Sequence, residues 1–319
     1  MGTNISPVGR RLALIAGPTA SGKSDLAVRL GQAWQDRGRR ALVINADSAQ
    51  VYRDLQVLSA RPTEAEMGGV THALFGKWDG ATPCSAADWA EAAREAIVRA
   101  HASGVLPILV GGTGLYIRTL LDGIAPIPAI APEIRDAVRS LSVAEAYAAL
   151  EDEDPERAAA LNPADTTRVQ RALEVVRSTG KPMAHWQSRR EGGIGPNVDL
   201  SPLVLMPDRE ELYARCNARF CRMLDHGAVE EVEALLARDL DPALPVMRAI
   251  GVPEIAAWLH GEIQRDEMVM RGQQATRNYA KRQFTWFRRQ MPEDWQRVVN
   301  EDSRNSLTIE RLFPDLLLT

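Results

Sequence analysis

The stretch Gly-Pro-Thr-Ala-Ser-Gly-Lys-Ser at 17–24 constrains this chain more than any other. It follows the apolar run Leu12–Ala16 and precedes a helical pattern over Asp25–Gln35. A glycine, four residues, a second glycine, then lysine and serine between a strand and a helix is a phosphate-binding loop. Each residue type has a physical task. Gly17 and Gly22 let the backbone turn so that the N–H groups of Thr19-Ala20-Ser21 and their neighbours close around phosphate oxygens. Lys23 supplies a mobile point charge, and Ser24 offers a hydroxyl to Mg²⁺. The helix that starts there turns its positive end toward the anion. The loop specifies a polyphosphate, not which one.

Two further apolar runs, Ala41–Ile44 and Leu106–Val110, end in Asn45-Ala46-Asp47 and in Gly111-Gly112-Thr113-Gly114. Ala86–Ala102 is helical, with Ser85 as its cap. Strands without polar alternation, separated by helices, form a parallel sheet covered on both faces. Ligands bind beyond the carboxyl ends of such strands, where the loop, Asp47 and the glycine turn all fall. Three prolines within 125–132 and three glycines within 191–197 read as linkers. The alanine-rich helical stretch between them reads as an insertion before a fourth strand, Leu203–Met206. The expected fold class is therefore α/β: a P-loop NTPase-like parallel sheet flanked by helices, with an all-helical insertion domain. The core is expected over 1–124 and 198–319 and the insertion over 125–197.

Composition removes several classes. The 319 residues are 45% hydrophobic and 25% charged, an ordinary soluble mixture. No apolar run approaches the roughly 20 residues that span a bilayer. The three cysteines, Cys84, Cys216 and Cys221, have no metal-ligand spacing and read as reduced thiols of a cytoplasmic protein. The net charge of −4 hides a local feature. From Met268 to Met291 there are six basic residues, Arg271, Arg277, Lys281, Arg282, Arg288 and Arg289, and no acidic one. On a helix, Arg277, Lys281 and Arg288 share a face beside an apolar stripe of Ala280, Phe284, Phe287 and Met291. A solvated face ordinarily mixes signs, so this one reads as a surface for phosphates.

An aspartate at a strand end serves magnesium or water in a nucleotidase. Here Asp47 is followed by Ser48-Ala49-Gln50-Val51-Tyr52, not an apolar strand exit, and Asp47, Ser48 and Gln50 offer an acceptor, a hydroxyl and an amide able to hold a nucleobase edge. A small-molecule kinase, a nucleotide-switched RNA-binding protein and a transferase all remain open on these residues alone.

The loop, the Asn45–Tyr52 stretch and Gly-Gly-Thr-Gly-Leu-Tyr at 111–116 together resemble the tRNA dimethylallyltransferases. So do Arg-Val-Gln-Arg-Ala-Leu-Glu-Val at 168–175, Met-Arg-Ala-Ile-Gly at 247–251 and Ala-Lys-Arg-Gln-Phe-Thr-Trp-Phe-Arg at 280–288. The resemblance runs over about 17–290. It implies transfer of a dimethylallyl group from dimethylallyl diphosphate to the exocyclic amine of the adenine adjacent to the anticodon, with diphosphate released. It implies catalytic roles for Asp47, Lys23 and Thr113, with Asp47 accepting the amine's proton. The diphosphate falls to Gly17, Pro18, Thr19, Ala20, Ser21, Gly22, Lys23 and Ser24, and to Arg215 and Arg219, a helical turn apart; Glu211 is a competing ion-pair partner for the arginines. Mg²⁺ would meet Ser24.

For the tRNA anticodon stem-loop the same resemblance names Asp47, Ser48, Ala49, Gln50, Thr113, Arg135, Gln170, Arg171, Ala172, Leu173, Glu174, Met247, Arg248, Gly251, Arg277, Lys281, Arg282, Gln283 and Arg288. The helical insertion becomes a tRNA clamp between hinges, and the whole a cytoplasmic monomer with no membrane association. A cousin acting on free adenine nucleotides lacks a use for the basic helix and the insertion. Two positions depart from the family pattern: Val252-Pro253-Glu254 replaces a tyrosine and a basic residue, and His72-Ala73 replaces a histidine pair.

Overall fold

The apolar runs that lack polar alternation pair with one another into a single six-stranded parallel sheet, ordered β3-β2-β4-β1-β5-β6. The computed structural model describes residues 9–299 and 309–317; the outer ends of the expected core, 1–8, 300–308 and 318–319, lie outside the described residues. The strands are β1 (Arg11–Ala16), β2 (Arg40–Asn45), β3 (Thr71–Ala73), β4 (Val105–Gly111), β5 (Asp199–Leu205) and β6 (Gln296–Val298). β1 lies centrally, in register with β4 from Ala13↔Ile108 to Ala16↔Gly111 and with β5 from Arg11↔Asp199 to Ala16↔Val204. Leu12, Ala13, Ile15 and Ala16 are fully buried, which is why β1 shows no alternation. The two three-residue edge strands, β3 and β6, are too short to carry a periodicity, and the sequence reading contains neither.

Helices α1 (Lys23–Gln35) and α2 (Ala86–Ala102) follow β1 and precede β4. Ser85 caps α2 in a capping box with Asp88. α3 (Gly114–Asp122) follows the glycine turn. After β5 come α9 (Arg209–Asp225), α10 (Ala228–Leu236), α11 (Val252–Leu259) and the 26-residue α12 (Arg265–Gln290), then the short α13 (Ile309–Leu312) and α14 (Pro314–Leu317). No helix among the described residues is long and apolar enough to cross a membrane. The three cysteines are unpaired.

The chain divides into two compact units, one running to Arg118 and resuming at Gly195, the other Thr119–Ile194. The second is all helical and starts and ends a few residues before the stretch expected from the linkers. It holds α4 (Pro132–Arg139), α5 (Val143–Glu153), α6 (Pro155–Ala159), α7 (Thr166–Thr179) and α8 (Met183–Gln187). Its own core includes Val138, Leu150, Val169, Ala172 and Leu173. The stretches read as hinges are joined to each other inside this unit. Ile124 and Glu191 exchange two backbone hydrogen bonds of 3.0 Å, and Gly123 and Gly193 allow the close approach.

Candidate active site

The site is built at the carboxyl ends of β1, β2 and β4, and each exit is shaped by a different device. At β1, Gly17 has φ +153° and a Cβ there would stand 2.6 Å from the Leu205 carbonyl, so no side chain fits. Lys23 is only 8% exposed and donates to the Pro18 carbonyl at 2.9 Å. Burial pushes its ammonium down to about 8, with the nearby Arg219 charge adding to the fall and Asp47 opposing it. Arg219 donates to the Thr19 hydroxyl. Its pKa is also lowered, chiefly by burial. Ser24 is exposed at the first turn of α1.

At β2, the buried side chain of Asn45 folds the exit back. Its amide donates to the Asp47 and Leu74 carbonyls, at 3.0 and 3.2 Å, while its oxygen accepts from the Asp47 amide at 2.9 Å. Trp89 donates to the Asn45 carbonyl at 2.8 Å and stacks on Tyr116. Asp47 is thereby held 8% exposed, and among the described residues its carboxylate accepts one hydrogen bond, from the Ala49 amide at 3.0 Å. At β4, Gly111 lets the strand exit lie against the Ala46 backbone, where any Cβ would collide. Thr113 then donates its amide to the Ala46 carbonyl at 3.1 Å. Its hydroxyl accepts from the Ser48 amide at 2.9 Å and bonds the Ser48 hydroxyl at 3.2 Å.

The β1 and β2 exits open on one cavity of about 290 Å³, which Tyr116 of α3 also lines. Its polar wall includes Thr19, Asp47, Ser48, Arg219, Arg248 and Arg282, and its apolar wall includes Leu55, Leu58, Phe220, Met223 and Ile250. Several lining residues were not anticipated. Tyr279 hydrogen-bonds Thr113 and Ser48, and burial together with the Asp47 charge raises its phenol. Tyr52, Tyr116 and Cys84 line the same wall, the Tyr52 hydroxyl accepting the Cys84 amide at 3.1 Å. The apolar wall is carried by the loop that contains Leu55 and Leu58, which Glu231 pins by accepting the amides of Gln56, Val57 and Leu58 at 2.8, 2.8 and 3.0 Å. Nothing local marks Glu231 in the sequence, because its partners lie more than 170 residues away.

Other expected contacts stand elsewhere. Arg215 pairs with Glu211, one turn back on α9. Gln50 spends its amide hydrogens on the Ser59 and Ala60 carbonyls, at 3.1 and 2.8 Å. Gly251, at φ +98°, is buried against Leu58. Met247 is half-buried and Arg248 exposed. Arg277 is tied to Asn217 of α9 at 2.5 Å, whereas Lys281, Arg282 and Arg288 are exposed on α12. Gln283, expected to touch RNA, is 6% exposed and turned into the protein. In the second unit, Ala172 and Leu173 are fully buried core residues and Glu174 is buried, paired with Arg139 and Arg171. They support the surface that carries Gln170 and Arg171 and are not part of it. Arg135 is half-buried on α4.

A phosphate-loop motif at the exit of a central strand of a parallel sheet, beside a held carboxylate and a partly apolar cavity, defines a P-loop-type α/β protein. The chain belongs to the IPP transferase family, whose model matches residues 50–290. It is 64% identical over 305 residues to the tRNA dimethylallyltransferase of Erythrobacter litoralis, covering 96% of this chain and 95% of that one. It is 63% identical over 277 residues to that of Novosphingobium aromaticivorans, covering 87% and 99%. Among solved structures it is similar to a full-length tRNA isopentenylpyrophosphate transferase from Bacillus halodurans (TM-score 0.65, 32% identity, covering 92% of this chain and 91% of that one). It is also similar to a eukaryotic dimethylallyltransferase acting on tRNA (TM-score 0.75, 29% identity, covering 88% and 70%).

Proposed function

We propose that Gly17–Ser24 holds the diphosphate of dimethylallyl diphosphate while Asp47 holds the exocyclic amine of a tRNA adenine across the same cavity. The protein is a tRNA-directed dimethylallyltransferase, as its family membership and relatives establish; the assignment of roles to residues is ours. The observation that carries it is the shared cavity. Thr19, Arg219 and Asp47 line its polar side, with the buried Lys23 ammonium electrostatically coupled to Asp47 and Arg219 behind them, and Leu55, Leu58 and Met223 line a bay that suits a branched five-carbon chain.

The step breaks the bond between the allylic carbon and the diphosphate oxygen, which leaves with the electron pair. It forms a bond from the adenine nitrogen to that carbon. The amine is a poor nucleophile because its lone pair is delocalised into the ring. A hydrogen bond from it to Asp47 raises the electron density on nitrogen, and the carboxylate takes the proton as the new bond forms. Lys23, Arg219 and the loop amides stabilise the negative charge that grows on the leaving group. The apolar wall keeps water from the allylic centre.

Mg²⁺ fits the residues present. Among the described residues no cluster of three or more His, Cys, Asp and Glu would cage a metal. The exposed Ser24 hydroxyl beside a diphosphate suits an ion that keeps its waters and binds mainly to phosphate oxygens. When bound it would supply further neutralisation of the diphosphate.

The target adenine has to leave its stack to reach Asp47. Lys281, Arg282 and Arg288 on α12, and Arg135, Gln170 and Arg171 in the helical unit, are the cationic and polar groups we assign to the tRNA. Dimethylallyl diphosphate as donor, a monomeric state, the absence of a membrane role and a cytoplasmic location complete the reading. Unmodified tRNA incubated with labelled dimethylallyl diphosphate and no ATP is expected to take up label. Failure to transfer label contradicts the reading.

A further inference from the structure

β1 and β4 are laddered together only as far as Ala16↔Gly111. Beyond that pair the two chains become the phosphate loop and the glycine turn that carries Thr113, and no sheet hydrogen bond holds them at a fixed separation. One side chain bridges the gap. The Gln283 oxygen accepts the Thr19 amide at 2.7 Å, and its nitrogen donates to the Gly112 carbonyl at 2.9 Å. Gly112 has no side chain because a Cβ there would run into the Gln283 amide and stand 3.0 Å from the Gly17 carbonyl.

The bridge is stiff. Gln283 sits on α12 between Ala280 and Phe287, both fully buried. The same helix packs Gly272 against the Phe220 ring and lays Trp286 over Gly114. Thr19 is held from both sides, its amide by Gln283 and its hydroxyl by Arg219. Gly112 is adjacent to Thr113, whose hydroxyl holds the Ser48 amide next to Asp47.

We infer that Gln283 is a positioning residue for the transfer step: its single amide sets the spacing between the loop that holds the donor and the turn that supports the acceptor. The inference rests on the function proposed above. It acts through Thr19 and Gly112 and touches neither substrate. A primary amide accepts from one chain and donates to the other at every pH, which a carboxyl of the same length does only when protonated. Since small misplacements of reacting groups cost about 100-fold in rate, loss of the bridge is expected to appear in the chemical step and not in RNA affinity.

The test compares the unsubstituted protein with Gln283→Leu and Gln283→Glu. It uses single-turnover transfer at saturating dimethylallyl diphosphate and tRNA, together with tRNA affinity and thermal unfolding. Gln283→Leu is expected to slow transfer by about 100-fold, with tRNA affinity unchanged and the fold intact at the assay temperature. Gln283→Glu keeps the acceptor for Thr19 but donates to Gly112 only when its carboxyl is protonated. Its rate, relative to the unsubstituted protein at the same pH, is expected to climb as pH falls. A Gln283→Leu protein that loses tRNA affinity but keeps its saturated rate overturns the inference, because Gln283 then contacts RNA. A pH-independent ratio for Gln283→Glu also overturns it. No transfer by the unsubstituted protein overturns the functional reading and this inference together, whereas an active parent with equally active variants overturns this inference alone.

Discussion

The exits of β1 and β2 face the same cavity and are built in opposite ways. Gly17–Ser24 is shaped mainly by backbone, glycine conformation and a helix start, with Gln283 and Arg219 holding Thr19, and it carries a lysine whose charge is costly in its buried place. Asn45–Tyr52 is shaped by side chains. Asn45, Thr113, Gln50 and, through the next loop, Glu231 each spend hydrogen bonds on backbone groups to fix the path. On the roles proposed above, the difference follows from what each would hold. A diphosphate presents many equivalent oxygens and is captured by a ring of amides and a positive charge, so orientation matters less than field. A single carboxylate must meet one particular amine, so its direction is over-determined.

Removing the oriented group should have the largest effect. Asp47→Ala is expected to lower the transfer rate by about 10³-fold while leaving tRNA affinity intact. Turnover near that of the parent would break the comparison at its acceptor side.

Lys23→Met is expected to cost about 10²-fold in rate and yet to raise the thermal stability of the ligand-free protein at pH 7. The sign follows from the depressed pKa. Below about 8 the lysine is charged in both folded and unfolded states, and the full cost of burying the charge is present. Between about 8 and its ordinary 10.5 the folded protein carries fewer protons, so this group's contribution to stability improves as pH rises. The gain from Lys23→Met should therefore shrink across that window in thermal unfolding followed against pH. A Lys23→Met protein less stable than the parent at pH 7 would contradict a field stored in the donor loop.

The smallest effect is expected from the scaffold of the acceptor exit. Asn45→Ala removes three hydrogen bonds at once and should destabilise the protein by about 1–3 kcal/mol. It should slow transfer less than Asp47→Ala does. Denaturant unfolding and the saturated rate measure the two parts separately.

The two exits also differ in how far they can be read without a structure. The phosphate loop is a local device, since strand, glycines, lysine and helix are contiguous, and the four longer strands and the fold class follow from similarly local runs. Asp47 and Thr113 are legible because they end such runs. Tyr279, Glu231 and the inward role of Gln283 are not, because each depends on which face of a distant helix meets which loop. Gln283 lies 264 residues from the amide it accepts. The acid-free stretch from Met268 to Met291 marks a basic helix face with an apolar side, but the family motif over 280–288 assigns Gln283 to the tRNA along with its basic neighbours. Ala172, Leu173 and Glu174 fail in a related way: a motif names a segment, while burial within it alternates every few residues.

The central claim is that the loop holds a leaving group and not a nucleotide to be spent. It is tested most directly by supplying tRNA, dimethylallyl diphosphate and ATP together and counting products. One diphosphate is expected to be released for each dimethylallyl group gained by tRNA, with ATP recovered unchanged. ADP formed in step with modification, or modified tRNA without matching diphosphate, would contradict it.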